Sequence, residues 1–200
     1  MPSQLCLPGI AAPPPETDRL FFALLPDPTA AQEIHSLASE VRRANNLKCR
    51  LTVKHRLHLS LQHLGDHAGF PTPWANAARR AAGRVSFPAF ELQLDRMLTF
   101  SGRARERRPL PCVLTSTSDT CIHRLHEALV PAMQACGIAV RPRAFTPHVT
   151  MFYDETIIDE RAVAPICFTV REFVIVHSRI RAGMPYQLLG RWPLVAASSL

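Results

Sequence analysis

Two short segments of this chain repeat one arrangement of side chains that can do acid–base chemistry. Each places a histidine two residues before a hydroxyl residue: His58 and Ser60 in the first segment, His148 and Thr150 in the second. Apolar residues alternate with them, which predicts strands. Because successive side chains of a strand point to opposite faces, the histidine and the hydroxyl share a face in each segment. If the two strands lie side by side, two imidazoles and two hydroxyls meet at one cavity.

Such a cavity would suit the cleavage of a phosphate ester without a metal. Imidazole titrates near neutral pH, so one ring can take a proton while the other gives one. The hydroxyls can donate to phosphate oxygens and stabilise the charge that develops on them. One isolated segment of this kind would more often be a half-buried strand with a local hydrogen bond, but two matching copies favour a shared site.

The composition indicates a folded domain with an anionic partner. The chain has 200 residues, 47% of them hydrophobic, and a formal net charge of +7. The positive charge favours nucleic acid or a nucleotide as partner. No apolar run approaches the ~20 residues of a membrane span. The six cysteines lack Cys-x-x-Cys spacing, which favours reduced, buried thiols in a cytoplasmic protein over a zinc knuckle.

The hydrophobic pattern predicts a mixture of strands and helices. Predicted strands cover 19–25, 47–54, 57–64, 90–97, 112–117, the second motif, 168–177 and 186–194, and predicted helices cover 30–43 (with Thr29 as cap), 74–82 and 121–136. Hairpins outnumber long crossovers, which favours an α+β fold. We expect two similar lobes with mainly antiparallel sheets facing a central cleft, and helices on the outside.

The ends of the chain and one insert have a different composition. Residues 1–17 are rich in proline and predict a disordered leader before a single domain at 18–195. The insert between Phe100 and Pro111 holds four arginines and predicts a hairpin loop. That loop is either solvated or a clamp on a nucleic-acid backbone.

Taken together, Arg19–Leu24, the two motif segments, the Leu64-Gly65 pair and the closing 186–194 strand resemble a known family. These segments are similar to the RNA 2',3'-cyclic phosphodiesterases, first called 2'-5' RNA ligases, of the 2H phosphoesterase superfamily. The resemblance implies a bilobal fold with His58 and His148 as the catalytic pair. It implies Ser60 and Thr150 as phosphate-binding residues, and hydrolysis of 2',3'-cyclic phosphates to 2'-phosphates without metal or cofactor. Ligation through a 2'-5' linkage is implied as a reverse activity.

The chain departs from the family pattern at two positions. His63 stands where the family usually has phenylalanine, and Tyr153 stands where it often has arginine. Both are expected substrate contacts. Arg143, with Arg141, lies just upstream of the second motif and is either a replacement for the missing cation or an ordinary surface charge.

Several alternatives stay open at this point. Our working assignment makes His148 the base and His58 the acid, but the near-symmetry of the lobes allows the reverse. The expected partner is RNA ending in a cyclic phosphate, or a small cyclic nucleotide, bound by a monomer away from membranes. The alternative hypothesis is a nucleotide-binding module that has lost efficient chemistry.

Metal binding is the weakest alternative. A zinc site built from His55, His58, His63 and His67 would need these side chains on one face, but His55 and His58 have opposite parity on a strand. His123 and His126 lie at i and i+3 of a predicted helix, and we expect them to be surface histidines.

Overall fold

A computed structural model describes residues 14–100, 109–118, 120–140, 144–180 and 184–196. These residues form eight strands and three α-helices. The strands are β1 (Asp18–Leu24), β2 (Leu59–His67), β3 (Phe90–Thr99), β4 (Leu110–Thr115), β5 (Val149–Asp154), β6 (Arg161–Val170), β7 (Glu172–Arg179) and β8 (Gln187–Pro193). The helices are α1 (Pro28–Ala44), α2 (Thr72–Ala82) and α3 (Thr120–Gln134), and a 3₁₀ turn covers Lys54–Arg56. Within the described ranges, none of the helices is both long and apolar enough to cross a membrane.

The strands form one sheet in the order β6-β3-β4-β5-β2-β1-β7-β8, and the seven neighbouring pairs are antiparallel. The sheet divides into a β1 half (β2-β1-β7-β8) and a β4 half (β5-β4-β3-β6). Among the described strands, one pair, Leu59 with Val149, joins the halves. An isolated bridge between Pro88 and Val195 also links the segments next to β3 and β8. The predicted α+β fold is confirmed, with the two lobes as halves of one continuous sheet.

The two halves are built from equivalent units, and the connecting helix of each unit packs against the opposite half. In the β1 half, α1 connects β1 to its neighbour β2, and in the β4 half, α3 connects β4 to its neighbour β5. Helix α1 packs against β5 and β6 of the β4 half, whereas α3 packs against β2 of the β1 half and against α2. Each half is therefore covered by the helix that begins in the other.

The core lies between the helices and one face of the sheet. Phe22, Leu59, Leu61, Val149 and Met151 are buried there, in one cluster with the apolar residues of all three helices. Fully burying one such side chain stabilises the fold by about 1.5–3 kcal/mol. The residues that alternate with Leu59, Leu61, Val149 and Met151 therefore point to the opposite face, away from the helices.

Two strand predictions are wrong. Residues 47–54 form no strand. Leu51 makes an isolated bridge to Phe152, and the 3₁₀ turn begins at Lys54. The predicted strand 168–177 is two strands that separate at Arg171, since β6 pairs with β3 in one half and β7 pairs with β1 in the other.

The predicted cap of the first helix is also wrong. Asp27 caps α1 by accepting a 2.8 Å hydrogen bond from the Ala30 amide, and Pro28 occupies the first turn. Proline suits that position because the amide it lacks has no partner inside a helix.

Other predictions fall partly outside the described residues. Residues 1–13 of the predicted leader, residues 101–108 of the arginine-rich insert, and Arg143 with Arg141 are not described. At the leader's end, the Thr17 amide donates to the His67 carbonyl.

Of the five described cysteines, all free, Cys112 is buried and Cys167 is exposed. Burial raises the pKa of the Cys112 thiol to about 11, so the prediction of buried thiols holds at that position but not for the whole set.

Candidate active site

The two motifs meet where the halves of the sheet join. His58 and His148 directly precede Leu59 and Val149, the pair that links β2 to β5. Continuing this antiparallel register by one residue sets His58 opposite Thr150 and Ser60 opposite His148. All four side chains line one cavity of about 700 Å³ on the face away from the helices. The predicted meeting of two imidazoles and two hydroxyls is confirmed as geometry.

The main chain holds both imidazoles in the same orientation. His58 Nδ1 lies 2.8 Å from the Arg56 carbonyl oxygen, and His148 Nδ1 lies 2.8 Å from the Thr146 carbonyl oxygen. A carbonyl only accepts hydrogen bonds, so each Nδ1 carries the proton. In the neutral ring Nε2 is then the unprotonated nitrogen, available to a ligand in the cavity.

Aromatic rings fix the position of each imidazole. The Phe21 ring lies 4.9 Å from the His58 ring, and Tyr186 meets His58 edge-on at 5.3 Å. Phe100 meets His148 edge-on at 4.9 Å. Contacts of this kind orient rings beyond the effect of simple burial. Both imidazoles are thus restrained by packing as well as by the backbone.

His58 is held in its neutral form. Burial lowers its pKa below the ordinary value of 6.5, and the positive charges of His148, Arg56 and Arg19 lower it further, against the opposing effect of the Arg56 carbonyl. Desolvation and nearby cations both disfavour the charged imidazolium. His58 is therefore neutral at pH 7 and able to accept a proton.

Three arginines that the sequence interpretation did not place also line this cleft: Arg19, Arg50 and Arg56. The Arg56 guanidinium lies 4.6 Å from the centre of the Tyr186 ring. Arg19 Nε and Nη2 donate to the two Asp66 oxygens at 2.7 and 2.6 Å. This pairing lowers the pKa of Asp66 to about 2, so Arg19 keeps an ionised partner that fixes it at the rim. The cleft is therefore cationic.

The sequence carries a signal for one of these arginines. Arg56, His58 and Ser60 are two residues apart, so an extended backbone would direct them to the same face. Tyr186, by contrast, reaches His58 from beside β8, and nothing in its neighbourhood along the chain indicates that contact. Tyr186 becomes part of the site through the packing of β7 and β8 beside β1.

The comparison with protein families decides which group this fold represents. The profile of the 2'-5' RNA ligase superfamily matches residues 25–180. The chain belongs to the 2'-5' RNA ligase superfamily. A search of curated proteins gave no significant match.

Solved structures agree with this membership. The chain is 27% identical to Escherichia coli LigT complexed with 3'-AMP, with a TM-score of 0.63, covering 90% of this chain and 99% of that one. A structure described as a phosphoesterase gives 26% identity, a TM-score of 0.64 and the same coverage. TT0787 of Thermus thermophilus shares the fold at 20% identity, with a TM-score of 0.67, covering 88% of this chain and 97% of that one. Family and fold support a phosphoesterase or ligase-like activity.

The two departures from the superfamily pattern lie at the same cleft. His63 Nε2 is 3.0 Å from Asp66 Oδ1, so His63 shares this carboxylate with Arg19. Tyr153 lines the cleft and is 56% exposed. Arg143, considered above as either a substitute cation or a surface charge, lies outside the described residues. Arg50 and Arg56 bring positive charge to the cleft from the segment before the first motif.

The histidines offered as zinc ligands do not assemble. Among the described residues, no group of three or more histidine, cysteine, aspartate or glutamate side chains is placed to hold a metal. The expectation of surface histidines on α3 is wrong for His126, which is half-buried and stacks on Phe145 at 4.4 Å.

Proposed function

We propose that this chain hydrolyses 2',3'-cyclic phosphate ends of RNA or nucleotides to 2'-phosphates, with two histidines as general base and general acid and without a metal. The observation that supports this most strongly is the pair of matching Nδ1–carbonyl bonds. They leave two Nε2 atoms available to one cavity that also holds two hydroxyls and three arginines. An acid–base pair around a phosphate needs that arrangement.

The reaction follows from the roles these groups can take. His58 Nε2 accepts a proton from water, and the water oxygen bonds to phosphorus as the bond from phosphorus to the 3'-oxygen breaks. His148 gives a proton from Nε2 to that leaving oxygen, so a 2'-phosphate and a 3'-hydroxyl result. Hydroxyls and cations around the phosphate stabilise the negative charge of the transition state, and we assign that role to Ser60 and Thr150, which line the cavity.

This assignment reverses our working one, in which His148 was the base. The reason is the lowered pKa of His58, caused chiefly by burial. A ring kept neutral can accept a proton, and the proton for the leaving group then comes from His148. Ligation uses the same steps when the 5'-hydroxyl of a second RNA replaces water, and it produces a 2'-5' linkage.

The direct test is turnover of a nucleoside 2',3'-cyclic monophosphate and of a short RNA ending in a cyclic phosphate, both in EDTA. We expect hydrolysis of each, with the phosphate retained on the 2'-oxygen as identified by phosphorus NMR. Tight binding of a 2'-phosphorylated nucleotide without any cleavage of the cyclic esters would instead establish the binding module. Activity that EDTA removes and zinc restores would contradict the two-histidine mechanism.

The lowered pKa of His58 predicts the pH profile. Below its pKa, His58 is protonated and cannot act as base, so the acid limb of kcat/KM should rise with pH as His58 becomes neutral. We expect the midpoint of this acid limb to lie below 6.5, the ordinary value. The measurement is kcat/KM against pH, which reports the free enzyme. A midpoint at or above 6.5 would contradict His58 as the base.

A further inference from the structure

A second cavity, of about 820 Å³, opens beside the catalytic one. We call it the aromatic groove, because Trp74 of α2, His126 of α3 and Phe145 supply rings to its walls. Two catalytic-motif residues, Ser60 and His148, line both cavities. A molecule in the groove can therefore reach the groups that surround the phosphate.

The described residues that line the two cavities differ in charge. None of the described residues that line the aromatic groove is arginine, lysine, aspartate or glutamate, whereas the catalytic cavity holds Arg19, Arg50 and Arg56. The groove is lined mainly by apolar side chains, among them Val130 and Ile138. Its chemistry fits an uncharged, flat group joined to an anion, and a nucleobase joined to its sugar phosphate is such a group.

The rings of the groove are already arranged for stacking. Phe145 and His126 lie nearly parallel, 4.4 Å apart at an angle of 19°. His126 Nε2 lies 3.1 Å from Gln62 Oε1, and Gln62 Nε2 donates to the His63 carbonyl at 2.9 Å. Both ends of the Gln62 amide are engaged, so the amide holds the imidazole against Phe145. Protein aromatic rings bind bases in this way whatever their sequence.

We infer that the aromatic groove binds the base of the nucleotide whose phosphate lies between His58 and His148, with the Phe145–His126 pair as its stacking surface. The sugar then passes Ser60 and His148 on its way from the groove to the catalytic cavity. The inference rests on the proposed function, because that function places a phosphate between the two histidines.

Trp74 gives a readout that does not need turnover. The chain has two tryptophans, and Trp192 lies away from the groove, stacked on Phe173. In a Trp192→Phe background, adenosine 2'-monophosphate should quench the fluorescence of Trp74, and inorganic phosphate should not. Calorimetry then gives the Kd of each probe.

The variant that tests the stacking surface is Phe145→Ala, with Phe145→Leu as a second variant that keeps apolar volume. Loss of stacking should raise the Kd of adenosine 2'-monophosphate by between about 5- and 150-fold, and the Kd of phosphate should not change. Phe70→Ala is the matched control: Phe70 also meets a histidine, edge-on to His177 at 5.0 Å, but it lines neither the groove nor the catalytic cavity. It should leave both constants unchanged.

The outcomes separate the inference from the proposed function. Nucleotide binding that depends on Phe145, in a protein that does not cleave cyclic esters, would support the groove and overturn the hydrolase. If cleavage is efficient and neither Phe145 variant changes nucleotide affinity, base binding in the groove would be overturned, and the proposed hydrolytic function would be supported. Equal loss of phosphate and nucleotide affinity would also overturn the groove, because the change would then act on the catalytic cavity.

Discussion

Replacing His58 or His148 by alanine is expected to lower kcat on a 2',3'-cyclic nucleotide by about 10²–10⁴-fold, the usual worth of a positioned general acid or base. Both rings line one cavity and act on one phosphate in the proposed mechanism, so the double variant should lose much less than the product of the single losses. The measurement is steady-state turnover, with circular dichroism to show that each variant remains folded. Full activity in both single variants would end the proposed mechanism.

Two comparisons sharpen this result. His55→Ala makes the same chemical change three residues before His58, in the exposed 3₁₀ turn, and should leave turnover unchanged. A zinc site that used His55 would give the opposite result. Ser60→Ala and Thr150→Ala should each cost less than loss of a histidine, since one hydrogen bond to a charged group contributes about 1.5–3 kcal/mol.

Asp18→Ala is expected to lower the free energy of unfolding by about 1–3 kcal/mol, because it leaves the buried His177 imidazole without the carboxylate that accepts its hydrogen bond. Asp18 Oδ1 lies 2.5 Å from His177 Nε2, and the two side chains are 10% and 6% exposed. Thr17 Oγ1 donates to the other Asp18 oxygen at 2.6 Å. Urea unfolding at neutral pH measures the loss. A loss below about 1 kcal/mol would show that the pair does not stabilise the fold.

The matched control is Glu160→Ala. Glu160 pairs with Arg96 at 2.8 Å, but both side chains are about half exposed, so the expected change is at most about 1 kcal/mol.

The pH dependence of stability distinguishes the two pairs further. The Thr17 hydrogen bond and His177 lower the pKa of Asp18 below 3.8, so its contribution is present above that pH. The gap between wild type and Asp18→Ala should narrow as the pH falls below 3.8.

The alternation of side chains was enough to predict which four motif side chains line one cavity. His58 with Ser60, and His148 with Thr150, had to share faces because the apolar residues between them had to reach the core. Each histidine lies one residue before its strand begins, but both line the same cavity as Ser60 and Thr150, so the parity of the pattern still holds.

Groups brought in by distant strands could not be predicted in that way. Tyr186 reaches His58 only because β7 and β8 lie beside β1, and this order is a property of the sheet rather than of any segment. The break between β6 and β7 also depends on the order of the strands in the sheet. The pattern of residues 168–177 predicts one strand, yet the chain leaves one half of the sheet at Arg171 and enters the other.

His126 shows a third limit. A histidine at i+3 from another on a helix with a polar side is typical of a solvated surface, and that was our interpretation. The structure instead places Phe145, from the segment before β5, flat against the ring. The spacing of residues on α3 holds no information about what packs there from elsewhere.

The packing of each helix against the opposite half of the sheet has a consequence for the spacing of His58 and His148. If the chain were divided between β3 and β4, the first fragment would keep α1 but lose β5 and β6, on which that helix rests. The second fragment would keep α3 without β2. Neither fragment would have a complete hydrophobic core, so each half depends on the helix packed against it from the other half. The gap between the two imidazoles is therefore set by the folding of the entire chain.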